Sequence, residues 1–286
     1  MLEMIPKGHP LEGVRLKLAR AEHHLETLDG QIDDFFGREP YTVSYERKPD
    51  AVEHIYRVHV SETPPLALSV VIGDCLQNMR SALDHLVWQL ALRSGKRTTP
   101  RRLTAFPICD TREAFRSKGT KNKVADPTAE DRAGIEGLQP FQVGGAARNH
   151  WLWHLNELSR IDRHRILHVV GGVHESIDMK VGDRDEDGNF RMIPIRFFTL
   201  DMKMVSLAPF KDGAEVARFG LYPDPAQVSV DIADVGMECE FSYRVTFGQD
   251  VGIAPAYEVV DVVGNILDHI GTEVVPPFAD SFGVMA

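Results

Sequence analysis

Eight apolar residues near the start of the chain, Leu11, Val14, Leu18, Ala21, Leu25, Leu28, Ile32 and Phe35, recur at alternating steps of three and four. That spacing is the signature of an α-helix laid lengthwise against a partner, because a 3.5-residue repeat keeps one seam facing one way. The partner is either another helix of the same chain or the same helix of a second copy. The seam is expected to make a homodimer through residues 11–35, symmetric pairing being the common form of assembly. After it, PYTVSYERKPDAVEHIYRVHV alternates around a Lys-Pro-Asp turn and predicts a β-hairpin near 40–61. Pro64-Pro65 then introduces a second helix over 66–93. A third is expected near 128–138, and Gly144-Gly145 breaks the chain before a fourth over 149–167.

Beyond His168 the period changes from helical to alternating. HVVGGVHESIDMKV, FRMIPIRFFTL, AEVARFGLY, AQVSVDIAD and CEFSYRVTF are β-branched or aromatic runs separated by Gly, Pro and Asp turns. They predict one antiparallel sheet of about five or six strands. AYEVVDVVGNILDHIG follows, its Val259, Val263, Ile266 and Ile270 forming a helical stripe expected to end at a C-cap glycine. Strands after a helical half make the class α+β. The chain reads as a mainly helical region over 1–168, with the hairpin inside it, and an antiparallel sheet with a C-terminal helix over 169–286, packed as one unit. With 286 residues, 43% of them hydrophobic, it has enough apolar material for a full core.

Several classes are excluded at this level. No apolar run approaches the 18 or so residues of a membrane span, and the N-terminus lacks signal-peptide architecture, so a cytoplasmic protein with no membrane partner is expected. Cys75, Cys109 and Cys239 are far apart and never form a CxxC pair, which argues against a disulfide framework or thiolate zinc. A net charge of −10 disfavours a long phosphate-tracking surface. One segment departs from that average: Arg93 to Lys123 holds ten Lys or Arg and two acids, Asp110 and Glu113. It reads either as a solvated connector or as an anion-binding loop in which Arg97, Arg101 and Arg102 would contact nucleic acid or another anion.

The stretch GDCLQNMRSALDHLVWQL, residues 73–90, carries the densest polar chemistry. On a wheel, Ile72, Cys75, Leu76, Met79, Ala82, Leu83, Leu86, Val87 and Leu90 share one arc; Gly73, Asp74, Gln77, Asn78, Arg80, Ser81, Asp84 and His85 share the other. Trp88 lies within the polar arc, so this face reads either as partly covered, its polar groups then needing partners, or as an ordinary solvated face. On 149–168, His150, His154, Glu157, Ile161, His164 and His168 fall within a sector of about 80°. His150, His154, Glu157 and His164 are therefore candidate ligands, spaced as helix-borne zinc or iron sites require. No cofactor is predicted outright; a divalent metal is the one this face would hold. Asp162 falls on the apolar stripe and is expected to pair with Arg80 or Arg165.

GDCLQNMRSALDHLVWQL followed by LWHLNELSRIDRHRILH resembles a group of uncharacterised bacterial proteins with a GDxLHNLRSALDHL helix and an IDxHRxLH helix. Gln77 stands where that group has histidine. The resemblance implies kinship over most of the chain and no particular activity. Arg80-Ser-Ala-Leu-Asp-His85 also resembles the Arg-x(4–6)-His motif of the HEPN superfamily, whose members often act as metal-independent ribonucleases. That likeness implies a catalytic group of Arg80, His85, Asp84 and Asn78, with His85 moving a proton and Arg80 stabilising charge on phosphate, and RNA as partner.

Other motifs fall away on spacing. DRDEDG at 183–188 begins like a calcium loop, but its twelfth position is Pro194 where a glutamate is needed, so a hairpin turn is expected. VVGGV lacks the dinucleotide spacing, and neither a GxSxG elbow nor a phosphate-binding loop is present. The leading expectation is a non-catalytic interaction protein with a polar Arg/Asp/His site between the helices 66–93 and 149–168. The alternatives are a HEPN-like ribonuclease and a metal-dependent hydrolase using the His/Glu face.

Overall fold

The heptad seam is helical and faces inward. Helix α1 (Glu12–Phe36) buries Val14, Leu18, Ala21, Leu28, Ile32 and Phe35, with Leu11 at its cap also fully enclosed. It lies along α2 (Leu66–Arg93), whose apolar arc from Ile72 to Leu90 is buried residue for residue. The seam expected to pair two copies through 11–35 is instead covered within the chain, by α2 and the C-terminal helix. In a computed structural model, the structure describes residues 5–48, 53–184, 189–194, 196, 198–204, 209–223, 235–253 and 257–282.

After α2 come three short helices, α3 (Arg112–Arg116), α4 (Lys118–Lys123) and α5 (Ala129–Gly137). A 3-10 segment, Pro140–Asn149, is interrupted at Gly144, whose φ of 60° is a left-handed value that glycine adopts without a Cβ penalty. Helix α6 (Trp151–Asp162) follows and is shorter than expected. His164 and His168 therefore lie beyond the helix rather than on its face. The C-terminal helix α7 (Val259–His269) does not stop at Gly271 but continues as a π turn, Ile270–Val274, followed by the short α8 (Pro276–Ala279) and a 3-10 turn, Asp280–Phe282. Helices α1, α2, α6 and α7 share one apolar core.

The class is α+β, as expected, but the strands form two antiparallel sheets rather than one. Among the described residues, the strands are β1 (Tyr41–Arg47), β2 (Glu53–Val60), β3 (Val169–Arg184), β4 (Phe190–Met192), β5 (Phe198–Met204), β6 (Glu215–Pro223) and β7 (Gly236–Phe247). One sheet runs β1-β2-β6-β5 and the other β4-β3-β7. The hairpin of the helical half is thus a sheet component, with Tyr56 of β2 opposite Ala217 of β6. Tyr56 also joins the sheets: its hydroxyl donates to the Met237 carbonyl at 2.8 Å, and its ring lies 5.4 Å from Phe241 and 5.8 Å from Phe219. The strand expected at AQVSVDIAD and most of the DRDEDG turn lie outside the described residues. Helix α2 touches β3 and α7 touches β7, so the helical layer rests on the second sheet.

Candidate functional site

Arg80 and Asp84 stand one turn apart on α2, and both reach the same residue of the connector. The Phe106 amide donates to Asp84 Oδ1 at 2.9 Å, and Arg80 Nη2 donates to the Phe106 carbonyl at 3.3 Å. The i,i+4 spacing that suggested a self-neutralising pair instead matches the two polar groups of one backbone residue. Phe106 itself is fully buried. Burial holds the Arg80 guanidinium pKa below its ordinary value, Asp84 opposing that shift and Arg163 adding to it. Trp88 is half-buried, so the polar face of α2 is covered in part rather than wholly solvated.

The other members of the proposed catalytic group point elsewhere. Asn78 accepts from Lys17 Nζ of α1 at 3.4 Å and donates to the Asp74 carbonyl at 2.8 Å. His85 is exposed and lies over α1, where a Cβ added to Gly13 would come within 3.2 Å of its Nδ1. Arg80 and Asp84 are thus brought together on Phe106, while Asn78 and His85 are turned toward α1.

The expected Arg80–Asp162 pair is not formed. Asp162 lies against Gly73 of α2, so closely that a Cβ there would be 2.5 Å from its Oδ1. Its carboxyl has no ion-pair partner among the described residues, and burial raises its pKa, with Asp74 adding to the effect. Beside it is an open cavity of about 280 Å3 bordered by Ser69, Val70, Asp162, Arg165 and Ile166. A cleft does exist between the two predicted helices, but it is lined by these residues rather than by the expected histidines and Arg80.

The histidine face is divided. His150 caps α6, its Nδ1 accepting from the Leu152 amide at 3.2 Å, and its ring meets His269 of α7 edge-on at 4.9 Å. Burial, followed by the charge of His269, pushes its pKa down to about 4. His154 packs among Trp151 and Trp153, and burial lowers its pKa too. Glu157 is held by Arg160, which keeps its carboxyl below the usual range. His164 is exposed beyond the helix end, and His168 bonds Asp250 at 3.2 Å. Among the described residues no group of three or more His, Cys, Asp or Glu is placed to hold a metal ion.

The basic connector is exposed along much of its length but is tied down by internal carboxylates. Asp126, only 3% exposed, receives Arg97 at 3.4 Å, Arg101 at 3.3 Å and the Arg101 amide at 2.9 Å. Two of the three residues expected to bind an anion are therefore engaged by an internal carboxylate; Arg102 remains exposed. Arg93 of α2 reaches Asp131 of α5, itself in a capping box with Thr128. Fully buried Gln139 accepts from the Cys109 amide and donates to the Ile135 carbonyl, each at 2.9 Å. Buried polar groups with partners specify one arrangement of a segment that has few apolar residues of its own.

Between α3, α4 and α5 lies an open cavity of about 600 Å3. Its walls carry Lys96, Arg116, Lys121 and Arg132 around a floor that includes Phe115 and Val124. Sequence reasoning located this segment through its charge but not which of its cations have acid partners. The distinguishing signal was the acids downstream: Asp126 and Asp131 neutralise some cations and leave the others. Comparison with protein-family models, curated proteins and solved structures gives no match to the chain.

Proposed function

We propose that the chain is a non-catalytic interaction protein in which the polar face of α2 is a scaffold that holds the basic connector in shape for binding. The observation that carries this reading is the closure of both backbone groups of Phe106 by Arg80 and Asp84. Side chains committed to a buried amide and carbonyl work as a clamp, because either truncation strands a polar group away from water. The placement of His85 over Gly13 of α1, turned away from the Phe106 contact of Arg80, supports the same reading, since a proton-transfer group must lie within hydrogen-bond reach of the proton it moves.

A metal-independent ribonuclease is the second reading, and one observation favours it. Arg80 Nη1 is buried with no acceptor among the described residues, and a phosphate oxygen would satisfy it. Incubation with single-stranded and structured RNA, in EDTA and then with added Mg2+ or Zn2+, separates the classes. The scaffold reading predicts no cleavage in either condition and a lowered thermal midpoint for Arg80→Ala. Cleavage in EDTA that disappears in a folded His85→Ala would establish the ribonuclease instead. Cleavage that needs the divalent ion would establish a metal-dependent hydrolase instead.

A further inference from the structure

We infer that the connector cavity binds a small organic anion with an apolar body, the chemistry of an aryl or alkyl phosphate. This deepens the reading that the chain binds rather than reacts, by naming the ligand class and the place.

The argument rests on how charge is distributed. Arginines of this region with an acid partner, Arg93, Arg97, Arg101 and Arg112, are held by Asp131, Asp126, Asp126 and Glu136. None of these four lines the cavity. The four cations that do line it, Lys96, Arg116, Lys121 and Arg132, have no carboxylate within ion-pair distance among the described residues. Glu136, the acid in the wall, already faces Arg112 at 3.6 Å. Lys96 Nζ and Arg132 Nη1 converge on a single neutral acceptor, the Pro127 carbonyl, at 3.0 and 2.6 Å. Two like charges brought to one carbonyl repel each other, and both keep unused donors: an ammonium has three and a guanidinium five. An anion between them relieves the repulsion and takes those donors, an arginine fork suiting two phosphate oxygens at once.

The floor accounts for the rest of the ligand. Phe115 and Val124 are buried beneath the cations, and Ala125, Ala129 and Ala133 leave space where larger side chains would fill it. A volume of about 600 Å3 is far more than an inorganic ion needs and lies within the roughly 300–1,000 Å3 of small-molecule pockets. Apolar burial would add to the charge interaction, so a ligand with both parts should exceed either alone.

Calorimetric titration of the full chain at low salt with phenyl phosphate, inorganic phosphate and phenol tests the site. Phenyl phosphate is expected to bind at least tenfold more tightly than inorganic phosphate, and phenol not measurably. The double variant Arg116→Gln/Lys121→Gln should weaken phenyl phosphate at least tenfold with an unchanged melting midpoint, neither side chain having an ion-pair partner among the described residues. Arg102→Gln, exposed on the same connector, should leave binding unaltered. No binding of phenyl phosphate, equal binding by the double variant, or an equal loss in Arg102→Gln would overturn the site. Release of phenol and phosphate during the titration would keep the site and overturn the non-catalytic reading.

Discussion

At the scale of single residues, Gly73 and Asp162 show what a periodicity reading finds and what it misses. The wheel placed Asp162 on an apolar stripe and so identified an unusual carboxylate. It could not supply the partner, because residue spacing gives the face of a helix and not the angle or register at which two helices cross. Among the described residues Asp162 meets no cation; it occupies the space left by the missing side chain of Gly73. Gly73→Ala should therefore lower stability in the native background, where the new methyl meets the carboxylate. In an Asp162→Ala background the same change should stabilise by about 0.5–1 kcal/mol, the helix-propensity gain of alanine over glycine. Urea unfolding of the four chains decides between coupling and simple additivity, and additivity would remove the contact.

At the scale of elements, long regular signals were legible and their ends and partners were less so. The helix over 66–93 matches α2 at both ends, and the heptad seam matches α1, because each has an uninterrupted stripe. The seam does not declare its partner; only the fold shows that α2 and α7 cover it. Leu18→Ala should accordingly cost about 2–5 kcal/mol, as for a fully buried leucine, and the cost should not vary with protein concentration. Unfolding at several concentrations tests this, since a seam shared between copies would make the midpoint rise with concentration. Helix α6 ends early because Arg163 caps it on the Ser159 and Ile161 carbonyls and the chain turns toward β3. That ending removes His164 and His168 from a face that seemed continuous on the wheel.

At the scale of the whole molecule, the α+β class was legible from the change of period at His168, whereas the division into two sheets was not. The pairing of β2 with β6 joins residues more than 150 positions apart, and no local pattern encodes such a partner. The assembled core also makes stability depend on pH. Burial pushes His150 and His54 from an ordinary 6.5 down to about 4. Between those values the unfolded chain binds more protons than the native one, so their contribution is whole above about pH 6.5 and is lost as pH falls toward about 4. His269 and His154 oppose a proton on His150 and Glu273 favours it. His150→Asn keeps a capping side chain and removes the titration, so its thermal midpoint should fall less steeply over that interval than the native one. An identical slope would contradict the assignment to His150. The central claim, that the polar face of α2 is a clamp on the connector, is tested most directly by amide hydrogen exchange at Phe106. The clamp predicts a protected Phe106 amide in the native chain and loss of that protection in Asp84→Ala, with the amides of α2 still protected. Fast exchange at Phe106 in the native chain, or protection unchanged by Asp84→Ala, would contradict it.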